Sequence, residues 1–122
     1  MWYNKNMKRE FIHTSIFDKQ WKDLGLGDDE LAELQGELAE SPKLAPVIQG
    51  TGGVRKVRFA FKNKGKSGSI RTLYIDLETH CVIYLLFAYA KSEKENISEK
   101  DKHEMHEWVN SIKKEYNGGK KQ

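Results

Sequence analysis

The chain has one cysteine, Cys81, among its 122 residues. No disulfide can close within it, and the small disulfide-stapled folds are excluded. Such sparing use of cysteine suits a reducing compartment. Proline occurs only at Pro42 and Pro46, so no proline-rich linker divides the chain, and no internal repeat is present. The longest apolar run, Cys81–Ala90, stops far short of the roughly 20 residues that span a bilayer. The opening MWYNKNMKRE has no apolar stretch of the kind a secretory signal carries. A soluble, cytoplasmic protein without a membrane segment is expected. One domain over residues 1–122 is expected too, with 1–7 and 117–122 as loose ends.

The most informative absence is of acid. The segment VRKVRFAFKNKGKSGSIR carries Arg55, Lys56, Arg58, Lys62, Lys64, Lys66 and Arg71 and no Asp or Glu. The net charge of +3 is modest, so placement matters more than total. Seven like charges on two strands and their loop repel one another unless something anionic is bound. A solvated lysine loop accounts for Lys62, Lys64 and Lys66, but not for Lys56 and Arg58 in mid-strand. A phosphate backbone suits the array, because each phosphate neutralised releases counterions. The nearby Tyr74, Tyr84 and Tyr89 are candidates for stacking on unpaired bases or for the core.

The periodicities give an order of elements. Phe11 and Ile12 suggest a first strand. Thr14 and Ser15 can cap a helix that carries Phe17, Trp21 and Leu24 on one face and ends at Gly25. Asp28, Asp29 and Glu30 favour the start of a second helix, striped by Leu31, Leu34 and Leu38 and stopped at Ser41-Pro42. From Val54 the period becomes two: Val57, Phe59 and Phe61 point one way, Lys56 and Arg58 the other. Residues 62–69 read as an exposed hairpin loop. Residues 70–77 read as a second strand, followed by a turn to Cys81, which is taken as a small hydrophobe at a strand start. Val82–Tyr89 is apolar on both faces, as a central strand is. Ser98 caps a last helix with Met105, Trp108, Val109, Ile112 and Tyr116 on one face. The fold class is α+β: an N-terminal strand and two helices, a three-stranded antiparallel meander and a C-terminal helix.

Two further motifs are weak. Gly50-Thr51-Gly52-Gly53 is not followed by a helix opening on Lys-Ser/Thr, so it reads as a turn before a strand, not a P-loop. His103 and His106 lie three apart on the last helix, but no third ligand accompanies them. No metal and no cofactor are expected.

The stretch LAPVIQGTGGVRKVRFAFKNKGKSGSIRTLYIDL, followed by IYLLFAYAKSEKENIS, resembles the HigB branch of the RelE/ParE toxin superfamily. GTGG, RKVR, GKSG, IR-x-x-Y and YLL-x-x-Y-x-K occur in order from Pro42 to Ser98, with a looser likeness upstream. The resemblance implies a RelE-like fold and the toxin of a type II toxin–antitoxin system. It implies a ribosome-dependent, metal-independent endoribonuclease that cleaves mRNA and inhibits translation. Its partners would be a cognate antitoxin, the ribosome and mRNA, and operator DNA for the toxin–antitoxin complex. By motif position the catalytic candidates are Lys56, Arg58, Arg71 and Lys91. Arg55, Lys62, Lys64, Lys66, Lys94 and Tyr74 are candidates for holding RNA or ribosome. Where some relatives carry an arginine and a tyrosine after the final strand, this chain has Ser92, Glu93 and Lys94. The general base is therefore not named by motif, and Lys56 is the candidate. Two other readings share the fold: a ParE-like inhibitor of DNA gyrase without catalysis, and an inactive RNA-binding module.

Overall fold

Thr14 sets the first corner of the chain. Its extended backbone ends β1 (Glu10–His13) and begins α1 (Ser15–Asp23). Its hydroxyl accepts from the Phe17 N–H at 2.9 Å and donates to the Leu86 carbonyl at 2.9 Å, so one side chain caps the helix and ties it to a strand. The computed structural model describes residues 9–61, 69–90 and 97–120, with side chains through 116. Gly25 closes α1 with φ 79, a left-handed value that suits glycine. At the start of α2 (Asp28–Glu40) the Gly27 N–H donates to the Glu30 carboxylate at 2.8 Å, and the acids of the first turn meet the positive end of the helix dipole.

The remaining elements are β2 (Arg55–Phe59), β3 (Ile70–Leu77), a 3-10 turn (Glu78–His80), β4 (Val82–Ala90) and α3 (Glu99–Lys120). β3 occupies the range its alternation predicts. The helix α3 runs to Lys120. Ser98 accepts from the Asp101 N–H at 3.1 Å and caps it, as expected.

The strands form one sheet in the order β1-β4-β3-β2. β2, β3 and β4 are the antiparallel meander, whereas β1 adds to the far side of β4 in parallel. The sheet is thus mixed, and β4 is central, which explains why its sequence is apolar on both faces. Beyond His13, α1 takes over that edge: the Gln20 Oε1 accepts from the Ala88 N–H at 2.8 Å, so the strand edge is not left unsatisfied.

Each face of the sheet has its own core. On one, Phe17, Leu34 and Leu38 from α1 and α2 meet Val57, Tyr74, Ile83 and Leu85, and all are buried. Each fully buried large side chain there contributes roughly 1.5–3 kcal/mol. On the other, Met105, Val109 and Ile112 of α3 cover Leu73, Ile75, Leu86 and Tyr89. The Gly50–Gly53 turn docks on α3, where the Lys113 ammonium reaches the Gly52 carbonyl at 3.3 Å. Thr51 is fully buried, and its hydroxyl donates to the Ile48 carbonyl and accepts from the Val54 N–H, the pattern of a structural turn.

One expectation about a single residue needs correcting. Cys81 is not a small buried hydrophobe: it is exposed and holds φ 57 in the tight turn before β4. The strand begins one residue later, and reversing the chain after the 3-10 turn requires a left-handed residue there.

Candidate nucleic-acid interface

Strand register decides which cations share a surface. Arg58 on β2 stands directly opposite Arg71 on β3, and Arg71 stands opposite Tyr89 on β4. Residues so opposed project from the same face. Lys56 lies two positions from Arg58, opposite Leu73, and so joins them on the α3 side. Arg58 is exposed and Lys56 half-buried. Among the described residues neither side chain makes a hydrogen bond or an ion pair. Arg71 is 2% exposed, and its Nη1 donates to the Ser69 hydroxyl at 3.2 Å. Its alternation with Leu73 and Ile75 does place it on an apolar face, but that face is the one Lys56 and Arg58 share.

Arg55 and Tyr74 belong elsewhere. They stand opposite each other on the α1/α2 side of the sheet. The Arg55 Nη1 donates to the Ala45 carbonyl at 2.6 Å, holding the loop after α2. Tyr74 was a candidate for stacking on a base, but it is fully buried and its hydroxyl donates to the Pro42 carbonyl at 2.9 Å. Burial pushes its phenol above the ordinary tyrosine value, with the hydrogen bond from Ala45 opposing. It is a core residue, because α1 and α2 cover the face on which it points. Lys62, Lys64, Lys66, Lys91 and Lys94 lie outside the described residues.

A cavity of about 570 Å³ opens on the α3 side, beside the arginine pair. Leu73, Phe87 and Tyr89 form its floor, and Phe87 meets Trp108 of α3 edge-on at 5.4 Å. Leu73 and Tyr89 are thus both cavity walls and strand neighbours of the cations. Sequence reasoning missed this cavity. Trp108 carries only the signal of a buried helical stripe, and no pattern reveals a space between two elements.

A separate charged cluster lies on the α1/α2 side. The buried Arg9 guanidinium donates to the Asp76 carboxylate at 2.9 Å, and Lys43 joins at 3.2 Å while also reaching Glu78 at 2.8 Å. The hydrogen bond to Asp76 raises Arg9 further above its usual value. This cluster pins the chain ahead of β1 to β3 and takes no part in the basic face. Among the described residues no group of three His, Cys, Asp or Glu could hold a metal, and no helix is long and apolar enough to cross a membrane.

The model of a family described as the RelE toxin of the RelE/RelB toxin–antitoxin system matches residues 8–118. Among solved structures, an arginine-substituted E. coli RelE toxin in the free state is similar with a TM-score of 0.54 and 17% identity, over 72% of this chain and 88% of that one. The isolated E. coli RelE toxin gives 0.51 and 18%, over 87% and 97%. The intact E. coli RelBE toxin–antitoxin complex gives 0.51 and 20%, over 67% and 95%. At these identities the likeness is one of fold, and it agrees with the mixed sheet and its helices. The family match spans nearly all of the chain, including both strands of the basic face, and on that ground this chain belongs to the RelE family of toxins of toxin–antitoxin systems.

Proposed function

We propose that this toxin is a metal-independent endoribonuclease that cleaves mRNA on the ribosome and so inhibits translation. The observation that supports the reading best is the cross-strand pair Arg58–Arg71, with Lys56 beside it. Cations gathered on one face of a sheet suit an anionic ligand. The phosphodiester backbone of RNA is such a ligand. In the reaction the 2′-hydroxyl of the substrate attacks the adjacent phosphorus as its proton passes to a base, and the 5′-oxygen of the next nucleotide leaves, taking a proton from water. The products are a 2′,3′-cyclic phosphate and a 5′-hydroxyl. Arg58, which is exposed, stabilises the charge that builds on the phosphoryl oxygens, and Arg71, 2% exposed, adds its positive charge from within the sheet face. Lys56 is the candidate to accept the 2′-hydroxyl proton. Lys91 is carried as a fourth catalytic candidate, and Lys62, Lys64, Lys66 and Lys94 as contacts to RNA or ribosome.

The family match and the neighbouring RelBE complex support a cognate antitoxin as partner, and the toxin acts in the cytoplasm, where ribosomes are. Primer extension on a translated mRNA tests the reading. Cuts within codons are expected with active ribosomes, and none when translation is blocked before elongation. Intact mRNA in the presence of active ribosomes and toxin refutes it.

A further inference from the structure

We infer that the Ser69 hydroxyl contacts the scissile phosphate and presents the charge of the buried Arg71 to it, as a hydrogen-bond donor to one non-bridging phosphoryl oxygen. The inference rests on the proposed RNA cleavage and names a further residue of that chemistry.

Arg71 sets the problem. It stands on β3 opposite the exposed Arg58, yet it is itself only 2% exposed. A guanidinium so covered has too little open surface to hold a phosphate directly, and its charge reaches a ligand best through a second polar group. Ser69 is such a group. It lies two positions before Arg71, so both side chains leave the chain on the same side. The Arg71 Nη1 donates to the Ser69 Oγ at 3.2 Å. Ser69 is half-buried where its partner is buried, so the hydroxyl is the outer end of the pair.

A hydroxyl has one proton and two lone pairs. Arg71 takes a lone pair, and the guanidinium turns the hydroxyl proton away from itself. The open side of the hydroxyl is then a donor, on the face that Lys56 and Arg58 share. Among the described residues no acceptor takes that proton. A bond received from a cation also polarises the O–H and strengthens the bond it gives.

Arg58 completes the contact. Register pairs Arg58 with Arg71 and Phe59 with Ile70, so Ser69 is the diagonal neighbour of Arg58 at the end of the strand pair. Diagonal neighbours lie roughly 7–8 Å apart, a gap that a long side chain spans. A phosphate between them receives a charged donor from Arg58 and a neutral donor from Ser69. Negative charge builds on the non-bridging oxygens in the transition state, where such donors count most. Ser69 gives a hydrogen bond and no proton. The 2′-hydroxyl proton still passes to the base, and the leaving 5′-oxygen takes its own from water. A bond that only braced the start of β3 would leave the substrate untouched, and the experiment separates the two.

Ribosomes programmed with a short synthetic mRNA are mixed with excess toxin, and single-turnover cleavage is followed. The substrates carry sulfur in place of one or the other non-bridging oxygen at the phosphate that the wild type cleaves, because sulfur is a weak hydrogen-bond acceptor. Ser69→Ala is expected to lower the cleavage rate constant by about 10² with the half-saturating toxin concentration unchanged, as loss of a transition-state donor does. The ratio of rates on the two sulfur diastereomers should change by about tenfold in Ser69→Ala and return to the wild-type value in Ser69→Thr, which keeps the hydroxyl. That ratio is read within one preparation, so a variant that folds only in part still reports it. Cleavage by Ser69→Ala at the wild-type rate overturns the contact and leaves the nuclease intact. Slow cleavage with an unchanged ratio reduces Ser69 to a brace for Arg71 and overturns the contact too. Intact all-oxygen mRNA with the wild-type toxin refutes the nuclease and the contact together.

Discussion

Arg58→Gln should make the free toxin more stable and less active at once. Arg58 stands opposite Arg71, and among the described residues its side chain has no acidic partner. Two like charges about 8 Å apart at an effective dielectric near 40 repel by about 1 kcal/mol. That lies at the top of the range of about 0.2–1 kcal/mol for cross-strand pairs. Glutamine keeps most of the aliphatic stem, so little packing is lost. For a domain of this size such a gain raises Tm by about 3 °C. The assay is thermal unfolding of wild type and variant at about 20 mM and about 1 M salt, since the screening length falls to about 3 Å at the higher concentration. The gain should be present at low salt and vanish at high salt. Cleavage of translated mRNA by the variant should fall by about 10²–10³, as when one stabiliser of developing charge is lost. A variant that melts no higher than wild type at low salt, or whose gain persists at high salt, refutes the repulsion argument. A variant that cleaves as well as wild type removes Arg58 from the chemistry.

Three further outcomes are expected. Asp76→Ala removes the carboxylate to which the buried Arg9 guanidinium donates, whose side chain is 4% exposed, and should cost about 3 kcal/mol in urea unfolding, whereas Lys43→Ala at the rim should cost under about 0.5 kcal/mol. Gly52→Ala places a Cβ 2.8 Å from the His106 ring at φ 82, and should cost about 1–2 kcal/mol from the left-handed backbone alone; adding His106→Ala should recover only the steric part. Burial raises the Tyr74 phenol above 10.0, and burial chiefly raises Tyr84 as well. The folded state therefore holds those protons longer than the unfolded chain does. Urea midpoints should be level below about pH 10 and fall as pH rises beyond it, with a shallower fall in Tyr74→Phe.

Legibility varied from residue to residue for physical reasons. β3 and the capped start of α3 were readable because alternation and a capping serine act locally, within a few residues. β4 was readable as central because burial on both faces leaves no polar alternation. Tyr74 was not readable as core. Arg71 and Tyr74 fall on opposite faces of one strand, both faces are covered by helices, and a period of two does not say which helix covers which. Arg55 looked like part of the basic array because it adjoins Lys56 in the chain, yet adjacency in a strand means opposite faces. The parallel attachment of β1 had no local signal, since more than sixty residues separate it from β4.

By itself the sequence determined the element order, the two helical stripes, the acid-free basic segment and the family motifs, because propensity, period and charge are properties of neighbouring residues. Only the tertiary structure decided the rest. Register set Arg58 against Arg71, and the packing of α3 across β4 left a cavity between those two elements. Those features depend on contacts between segments far apart in the chain, where burial against a specific partner, not local preference, chooses the arrangement.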